Sequence, residues 1–150
     1  MPDLPADHQM QVDDLLCFAF YSTAHAFNRV YKPLLEALGL TYPQYLVMIA
    51  LWAQDDQTVG GLGERLLLES NTLTPLLKRL EALGHVTRAR DPADERQVRV
   101  RLTPAGQGLR ERAQGVPACI LEASGLSLDA LRRLQAEVTA VRGSLLASAG

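Results

Sequence analysis

Residues 86–106 carry the most informative pattern in this sequence, V-T-R-A-R-D-P-A-D-E-R-Q-V-R-V-R-L-T-P-A-G. Apolar and polar residues alternate over 97–102, which is the period of two expected of a half-buried β-strand. Asp91-Pro92 marks a turn that joins this strand to an earlier one, and Thr103-Pro104 has the form of a helix N-cap followed by proline at the first helical position. The segment therefore predicts a two-stranded hairpin with arginines near its tip, followed directly by a helix.

The helix that precedes this hairpin has two unlike faces. Leucines fall on one side of a helix that Ser70 or Asn71 would cap and that runs to Leu83, and we expect that side to be buried. The exposed side is polar and basic, and its expected members are Ser70, Asn71, Thr72, Thr74, Pro75, Lys78 and Arg79. A shorter helix over 59–66, capped by Thr58, comes before it. A further helix, which Thr41-Tyr42-Pro43 opens, precedes that one, and its expected inner face is Tyr45, Leu46, Ile49, Ala50 and Ala53. Two helices joined by a tight turn and followed by a basic hairpin are the layout of a winged helix-turn-helix, whose second helix lies in the DNA major groove.

Positive charge is concentrated around this predicted helix and hairpin. The whole chain has a formal net charge of −2, which by itself argues weakly against nucleic-acid binding. Residues 71–101, however, carry seven lysines and arginines against four acidic residues, whereas residues 1–57 carry seven acidic residues against two basic ones. Such a basic block is the local footprint of a DNA-binding surface, to which we assign Arg88 and Arg90. The alternative is a charged face that is simply solvated.

Long apolar helices flank the winged region. The first is predicted over Val12–Leu38, closed by Gly39 and bent at Pro33, and its apolar residues follow two neighbouring stripes. The C-terminal part predicts a helix from Pro104 that is interrupted at Pro117, and then a leucine-rich helix capped by Ser127. Helices that are apolar on more than one face cannot bury themselves against a small winged domain alone, so they indicate a partner chain.

The expected fold class is mainly α with a small β-hairpin, a winged helix-turn-helix with a helical dimerisation bundle. Its predicted parts are an N-terminal dimerisation helix over 1–38, the winged region over 39–103 and C-terminal dimerisation helices over 104–150, all within one compact domain.

Other kinds of protein and site find little support in the sequence. No apolar run approaches the roughly 18 residues of a membrane span, and the first residues are acidic without an apolar core. We therefore expect a cytoplasmic protein with no membrane partner. The two cysteines, Cys17 and Cys119, are far apart and without a histidine cluster, so we expect no metal site and no cofactor. A permanent disulfide is not expected in a reducing compartment, which leaves inert thiols or a redox switch.

The order of these elements resembles the MarR family of transcription regulators over most of the chain. The motif that carries the resemblance is D-P-A-D-E-R-Q-V-R-V-R-L-T-P-A-G at 91–106, and it implies that Asp94 and Arg96 shape the wing tip and reach the DNA minor groove. A narrower resemblance, to the organic hydroperoxide resistance regulator (OhrR) branch, rests on L-L-C-F-A-F-Y-S at 15–22, L-T-Y-P-Q-Y-L-V-M at 40–48 and L-E-S-N-T-L-T-P-L-L-K-R-L-E at 68–81. Gly61 departs from this branch, which more often has a polar side chain there.

The narrower resemblance implies a redox site. In that branch the cysteine near the start of the first helix senses peroxide, which corresponds to Cys17. The resemblance also implies thiol-stabilising tyrosines at Tyr31 and Tyr42, with Tyr21 on the same helix, and a second redox cysteine of the two-cysteine subclass at Cys119. Tyr31 lies about 21 Å from Cys17 along a helix that rises about 1.5 Å per residue, so it cannot reach the thiol of its own chain. An antiparallel crossing of two first helices would bring it to the partner's thiol, and the site therefore requires a dimer.

The surroundings of Cys17 have opposing effects on its thiolate form. Asp13 and Asp14 lie one turn earlier, and their carboxylates disfavour a thiolate. A helix that begins at either of them would place Cys17 in its first turn, where the helix dipole favours an anion, whereas a helix capped at Asp7 would not.

The expected function is that of a homodimeric repressor, not an enzyme. It would bind a pseudo-palindromic double-stranded DNA operator and release it when an organic hydroperoxide oxidises Cys17 and a disulfide with Cys119 follows. Two alternatives stay open at this point. One is a MarR-type repressor that is released by a small anionic or aromatic ligand and has structural cysteines. The other is a thiol peroxidase, against which the basic hairpin argues.

Overall fold

The computed structural model describes residues 11–150, which form seven α-helices and a small antiparallel sheet. A short 3-10 helix, Val12–Asp14, precedes the first α-helix. The α-helices are α1 (Leu16–Glu36), α2 (Tyr42–Ala53), α3 (Val59–Leu66), α4 (Ser70–Ala82), α5 (Pro104–Ala113), α6 (Val116–Ser124) and α7 (Leu128–Ala149). The strands are β1 (Gln57–Thr58), β2 (Val86–Arg90) and β3 (Val98–Leu102). The prediction of a mainly helical chain with a helix-turn-helix and a wing is confirmed.

The wing has three strands where the sequence predicts two. Strands β2 and β3 form the predicted hairpin and pair antiparallel, with Arg88 opposite Val100. The short strand β1 pairs with the other edge of β3, so that the order is β1-β3-β2. Sequence periodicity did not reveal β1, because two residues are too few to show an alternation.

Threonine and serine caps set several helix starts where the sequence predicts them. Thr41, Thr58, Thr103 and Ser127 each accept a hydrogen bond from a backbone N–H in the first turn of α2, α3, α5 and α7, respectively. The backbone N–H of Gly61 is the donor to Thr58, so the departure from the OhrR branch at this position is accommodated in a capped turn. These caps satisfy donors that a helix start leaves free.

Three predicted helix boundaries are wrong. Helix α1 is shorter than Val12–Leu38, since Leu15 breaks it from the preceding 3-10 turn and it ends at Glu36. Helix α4 has Glu69, not Ser70 or Asn71, at its N-cap position, without a side-chain cap. The interruption predicted at Pro117 falls earlier, because α5 ends at Ala113 and α6 starts at Val116, with Pro117 in its first turn.

The hydrophobic core lies between α2, α3, α4 and the sheet, and it continues into the end of α1 and into α5 and α6. Its fully buried side chains include Met48, Leu51, Leu62, Leu77 and Val100. Residues from all three predicted parts, such as Leu35, Leu77 and Leu109, share this one core. The face of α2 that sequence periodicity assigns to the core is partly wrong, since Ile49 is exposed and Val47, Met48 and Leu51 are buried instead.

Helices α1 and α7 leave much apolar surface exposed. Helix α7 has no buried residue in its 22 positions, and α1 has only one, Leu35. Their exposed large apolar side chains are Leu16, Phe18, Tyr21, Phe27, Leu128, Leu134, Leu145 and Leu146. None of the helices within residues 11–150 is long and apolar enough to cross a membrane.

Candidate nucleic-acid interface and thiol site

Helix α4 presents the polar face that the sequence assigns to DNA. Its leucines at 73, 76, 77 and 80 are buried against the core. The predicted DNA-binding residues of this helix are exposed, with Thr74 half-buried: Ser70, Asn71, Thr72, Thr74, Pro75, Lys78 and Arg79. In the described part of the chain, neither Lys78 nor Arg79 forms an ion pair. Both cations are therefore free to meet phosphates.

The wing tip is a turn that Asp94 organises. Its carboxylate accepts hydrogen bonds from the backbone N–H and the Nε of Arg96, at 3.2 and 3.0 Å. The Arg96 side chain is still 90% exposed, so this pair orients the guanidinium without covering it. Arg90 donates from Nη1 to the Glu95 carbonyl and braces the turn from the other side. An exposed, pre-oriented arginine at a hairpin tip has the geometry to enter a minor groove.

Several arginines of the basic block are neutralised within the domain. Arg88, predicted to contact DNA, is paired with Glu81 of α4 at 3.2 Å and only 21% of its side chain is exposed. Arg99 bonds Asp91 at 2.9 Å and Asp56 at 3.2 Å, and Arg101 pairs with Asp56 at 3.1 Å. The basic surface open to a ligand is consequently narrower than the sequence count indicates.

A cleft of about 350 Å³ separates α4 from the wing. Ser70, Thr74, Arg88 and Arg96 of the predicted DNA-binding set line it. Sequence reasoning did not assign the six other lining residues to this surface: Thr58, Val59, Gly60, Leu77, Gln97 and Val98. The Thr58 N-cap was recognised only as a helix signal, and nothing in the local sequence shows that the start of α3 faces the wing.

Cys17 is exposed in the first turn of α1. The helix starts at Leu16 rather than at Asp13 or Asp14, which lie in the separate 3-10 turn. The thiol is therefore next to a helix N-terminus, where the backbone dipole stabilises an anion. The alternative cap at Asp7 lies outside the described residues.

Three tyrosines form a cluster where α1 packs on α2. The ring centroid of Tyr31 is 4.8 Å from that of Tyr42 and 6.0 Å from that of Tyr45. Burial, assisted by the two neighbouring phenols, raises the pKa of Tyr31 to about 12, and burial also raises the pKa of Tyr42. Tyr45 is a member that sequence reasoning assigned only to the core, although its spacing of three from Tyr42 puts it on the same helix face. Tyr21 lies apart, with its ring against His25 at 4.4 Å.

Cys119 is exposed on α6. The next residue, Ile120, lines a cleft with Phe27 and Val30 of α1. Cys17 precedes Phe27 by ten residues, which is about 15 Å of helix at about 1.5 Å per residue. The Cα atoms of a disulfide lie about 5.5–6 Å apart, and both cysteines are free thiols in the single chain.

The sequence is similar to known transcription regulators over nearly its whole length. The family model described as transcriptional regulator SarA/Rot matches residues 29–112. The HTH-type transcriptional regulator TtmR of Methylorubrum extorquens is 49% identical over 96% of this chain and 74% of its own length. The organic hydroperoxide resistance transcriptional regulator of Bacillus subtilis is 44% identical over 86% of this chain and 87% of its own length. Each of these proteins is named as a regulator and none as an enzyme.

Solved structures of AbfR from Staphylococcus epidermidis have a similar fold. Reduced AbfR bound to DNA is 38% identical, covers 92% of this chain and 96% of its own, and superposes with a TM-score of 0.77. An overoxidized form bound to DNA has a TM-score of 0.74 and is 39% identical, and the match covers 91% of this chain and 96% of the AbfR chain. A disulfide-formed AbfR has a TM-score of 0.66, with 92% and 94% covered and 36% identity.

Proposed function

The chain belongs to the MarR family of transcriptional regulators, on the side of the organic hydroperoxide resistance regulators, and from this premise we propose that it is a homodimeric repressor released from its operator by organic hydroperoxide. The observation that carries the proposal is the exposed Cys17 in the first turn of α1, together with a tyrosine cluster that a second copy can bring to it. The parts keep their predicted roles, with 39–103 as the DNA-binding region and 1–38 and 104–150 as dimerisation segments.

On the DNA side, two copies of α4 would enter successive major grooves. The exposed donors of that helix would read bases and phosphates, and Arg96 of each wing would enter the flanking minor groove. Half-sites on one face of a duplex lie about 34 Å apart, so a two-fold dimer selects a pseudo-palindromic operator. That reduced AbfR, which is 38% identical, is known bound to DNA supports DNA as the partner.

On the sensing side, the Cys17 thiolate would attack the outer oxygen of the hydroperoxide. The O–O bond breaks, the sulfur becomes a sulfenic acid and an alcohol leaves after protonation. Phenolic O–H groups of the partner's tyrosine cluster would stabilise the thiolate by donating hydrogen bonds. The Tyr31 phenol, whose pKa burial raises to about 12, is protonated at neutral pH and can donate such a hydrogen bond.

A disulfide with Cys119 of the partner would complete the switch. The Cys119 thiol displaces the hydroxyl of the sulfenic acid, which leaves as water. The neighbour of Cys119, Ile120, lines a cleft with Phe27 and Val30 in the middle of α1, ten or more residues from Cys17, and this favours an intersubunit pairing. Bringing the sulfurs to about 2 Å would shift α1 and α6 and change the spacing of the two α4 helices. That AbfR is known in DNA-bound overoxidized form and in a disulfide form supports the disulfide, rather than oxidation itself, as the releasing step.

The test is DNA binding by the reduced, full-length protein before and after one equivalent of cumene hydroperoxide. A duplex selected by the wild-type protein from a random library serves as operator. Wild type is expected to release it and to rebind after dithiothreitol, whereas Cys17→Ser stays bound throughout. Cys119→Ser is expected to be oxidised at Cys17 but to give no dimer-sized band on a non-reducing gel.

Wild-type protein that stays bound after peroxide would contradict the redox switch. The remaining candidate would then be the ligand-released repressor, with Cys17 and Cys119 as structural residues. Release of the Cys17→Ser variant by a small aromatic acid would identify it directly.

A further inference from the structure

The contact between Glu81 and Arg88 joins the two DNA-binding elements of the winged region. Glu81 lies near the end of α4, and Arg88 is the central residue of β2. One carboxylate oxygen of Glu81 accepts the backbone N–H of Arg88 at 2.9 Å, and the other accepts its Nη2 at 3.2 Å. Both oxygens are thus used to hold one residue of the wing against the recognition helix.

The surroundings of Arg88 restrain its guanidinium. Its side chain is 21% exposed, and its Nε is buried without a hydrogen-bond partner among residues 11–150. Arg88 lines the cleft between α4 and the wing together with Thr74 and Gln97. The orientation of this largely buried side chain therefore depends on Glu81 more than on the surrounding water.

The two elements that this contact joins must act together on DNA. Helix α4 and the wing tip would occupy neighbouring grooves, so their separation has to match that of the grooves. Strand pairing fixes β2 within the sheet, but it does not fix the sheet relative to α4. The fork between Glu81 and Arg88 supplies a directional contact between them, in addition to non-directional leucine packing.

We propose that Glu81 is a positioning residue for DNA binding, which sets the wing relative to the recognition helix through Arg88. Arg88 then serves to link the wing to Glu81 and is not a direct phosphate ligand. The proposal rests on the DNA interface proposed above and is independent of peroxide sensing.

The direction in which DNA affinity changes when the Glu81 carboxylate is removed tests this proposal. DNA is a polyanion, so removing a carboxylate from a bystander position on the DNA-binding face should tighten binding or leave it unchanged. Removing the charge of a positioning carboxylate should weaken binding, because the wing loses its orientation. The two roles predict changes of opposite direction for the same substitution.

The experiment measures the affinity of reduced full-length protein for the library-selected duplex. Glu81→Gln is expected to bind about five- to tenfold more weakly, because the amide has no charge and only one acceptor oxygen, so that one of the two hydrogen bonds to Arg88 is lost. The matched control is Glu95→Gln at the wing tip, whose carboxylate is exposed and unpaired among residues 11–150. It removes the same charge and should bind as tightly as wild type or more tightly. Equal or tighter binding by Glu81→Gln overturns the proposal.

The salt dependence of binding separates positioning from direct contact at Arg88. Each lost phosphate contact lowers the slope of log K against log salt by about 0.9, so two direct contacts in a dimer would lower it by about 1.8. We expect Arg88→Met to weaken binding with the wild-type slope, and to add little to the loss caused by Glu81→Gln in the double variant. A reduced slope assigns Arg88 to a phosphate and contradicts the proposal.

A conservative variant at Arg88 tests the same contact from the other side. Arg88→Lys keeps the charge and the backbone N–H donor to Glu81, but it replaces the directional Nη2–H donor by a flexible ammonium. It should therefore bind more weakly than wild type, whether or not Glu81→Gln proves less stable. Lys-variant binding equal to wild type would overturn the proposal. A wild-type protein that selects no duplex at all is a failure of the proposed function and not of Glu81.

Discussion

Single side chains decide what the candidate thiol site can do. Tyr31, Tyr42 and Tyr45 meet at the packing of α1 on α2, and each has a raised pKa because burial disfavours the charged phenolate. A phenol that keeps its proton remains a hydrogen-bond donor, which is what a thiolate needs. The phenols of Tyr42 and Tyr45 also raise the pKa of Tyr31, so its protonated form, which can donate a hydrogen bond, is the stable one.

The raised tyrosine pKa values predict a loss of stability in strong base. Below pH 10 the phenols are neutral in both the folded and the unfolded chain, so their burial costs nothing extra. Between pH 10 and about 12 the unfolded chain releases the Tyr31 proton and the folded chain retains it, so stability falls as pH rises. We expect the urea midpoint of wild type to drop over this window, and Tyr31→Phe to show a shallower drop.

Tyr21→Phe is the control, because that ring is exposed and contacts His25 outside the cluster. It should follow the wild-type curve. A Tyr31→Phe curve as steep as that of wild type would contradict the raised pKa.

At the scale of elements, the joint between the winged region and α5 depends on close backbone contact. The N-cap residue of α5, Thr103, donates its backbone N–H to the His85 carbonyl and its hydroxyl to the Gly84 carbonyl. Trp52 of α2 donates Nε1 to the Gly106 carbonyl at 2.9 Å. Three elements therefore meet at the first turn of α5, and Gly106 leaves room for them.

Gly106→Ala is expected to lower the free energy of unfolding by about 1–3 kcal/mol, the range found for overpacked sites. A Cβ there would overlap the His85 carbonyl oxygen, which is backbone and cannot rotate away. Gly108→Ala, two residues later in the same helix, meets nothing within 4 Å and should stabilise the protein by about 0.5–1 kcal/mol. Urea denaturation of both variants measures the contrast, and destabilisations of equal size would show that the contact at Gly106 is not limiting.

For the whole molecule, the main feature is that the apolar surfaces of α1 and α7 are left exposed in the single chain. Helix α7 buries none of its residues, although leucine and valine recur along it. A helix of this kind is expected to pack against a second copy, because burial of an apolar side chain is worth about 1.5–3 kcal/mol. The candidate thiol site has the same requirement, since Cys17 and the tyrosine cluster lie at different heights along one α1.

Leu145→Glu is expected to convert the protein from a dimer to a monomer and to abolish tight DNA binding. Leu145 is 64% exposed in the single chain, so the substitution leaves the core intact while it places a charge in the proposed interface. Sedimentation should give twice the chain mass of 16.4 kDa for wild type and one chain mass for the variant. Leu83→Glu, which is 50% exposed at the end of α4, serves as the control and should remain dimeric. A dimeric Leu145→Glu protein would exclude this end of α7 from the interface.

The sequence by itself determined the elements whose signals are local. Alternation over 97–102 predicted β3, and the residues Thr41, Thr58, Thr103 and Ser127 marked helix starts, because a cap or a strand period is written in neighbouring residues. The exposed face of α4 was predictable for the same reason. Only the tertiary structure decided which cations are free, since the pairs of Arg99 with Asp56 and of Arg88 with Glu81 join residues 43 and 7 positions apart. It likewise decided the third strand and the place of Tyr45, because these depend on which distant segments the folded core brings into contact.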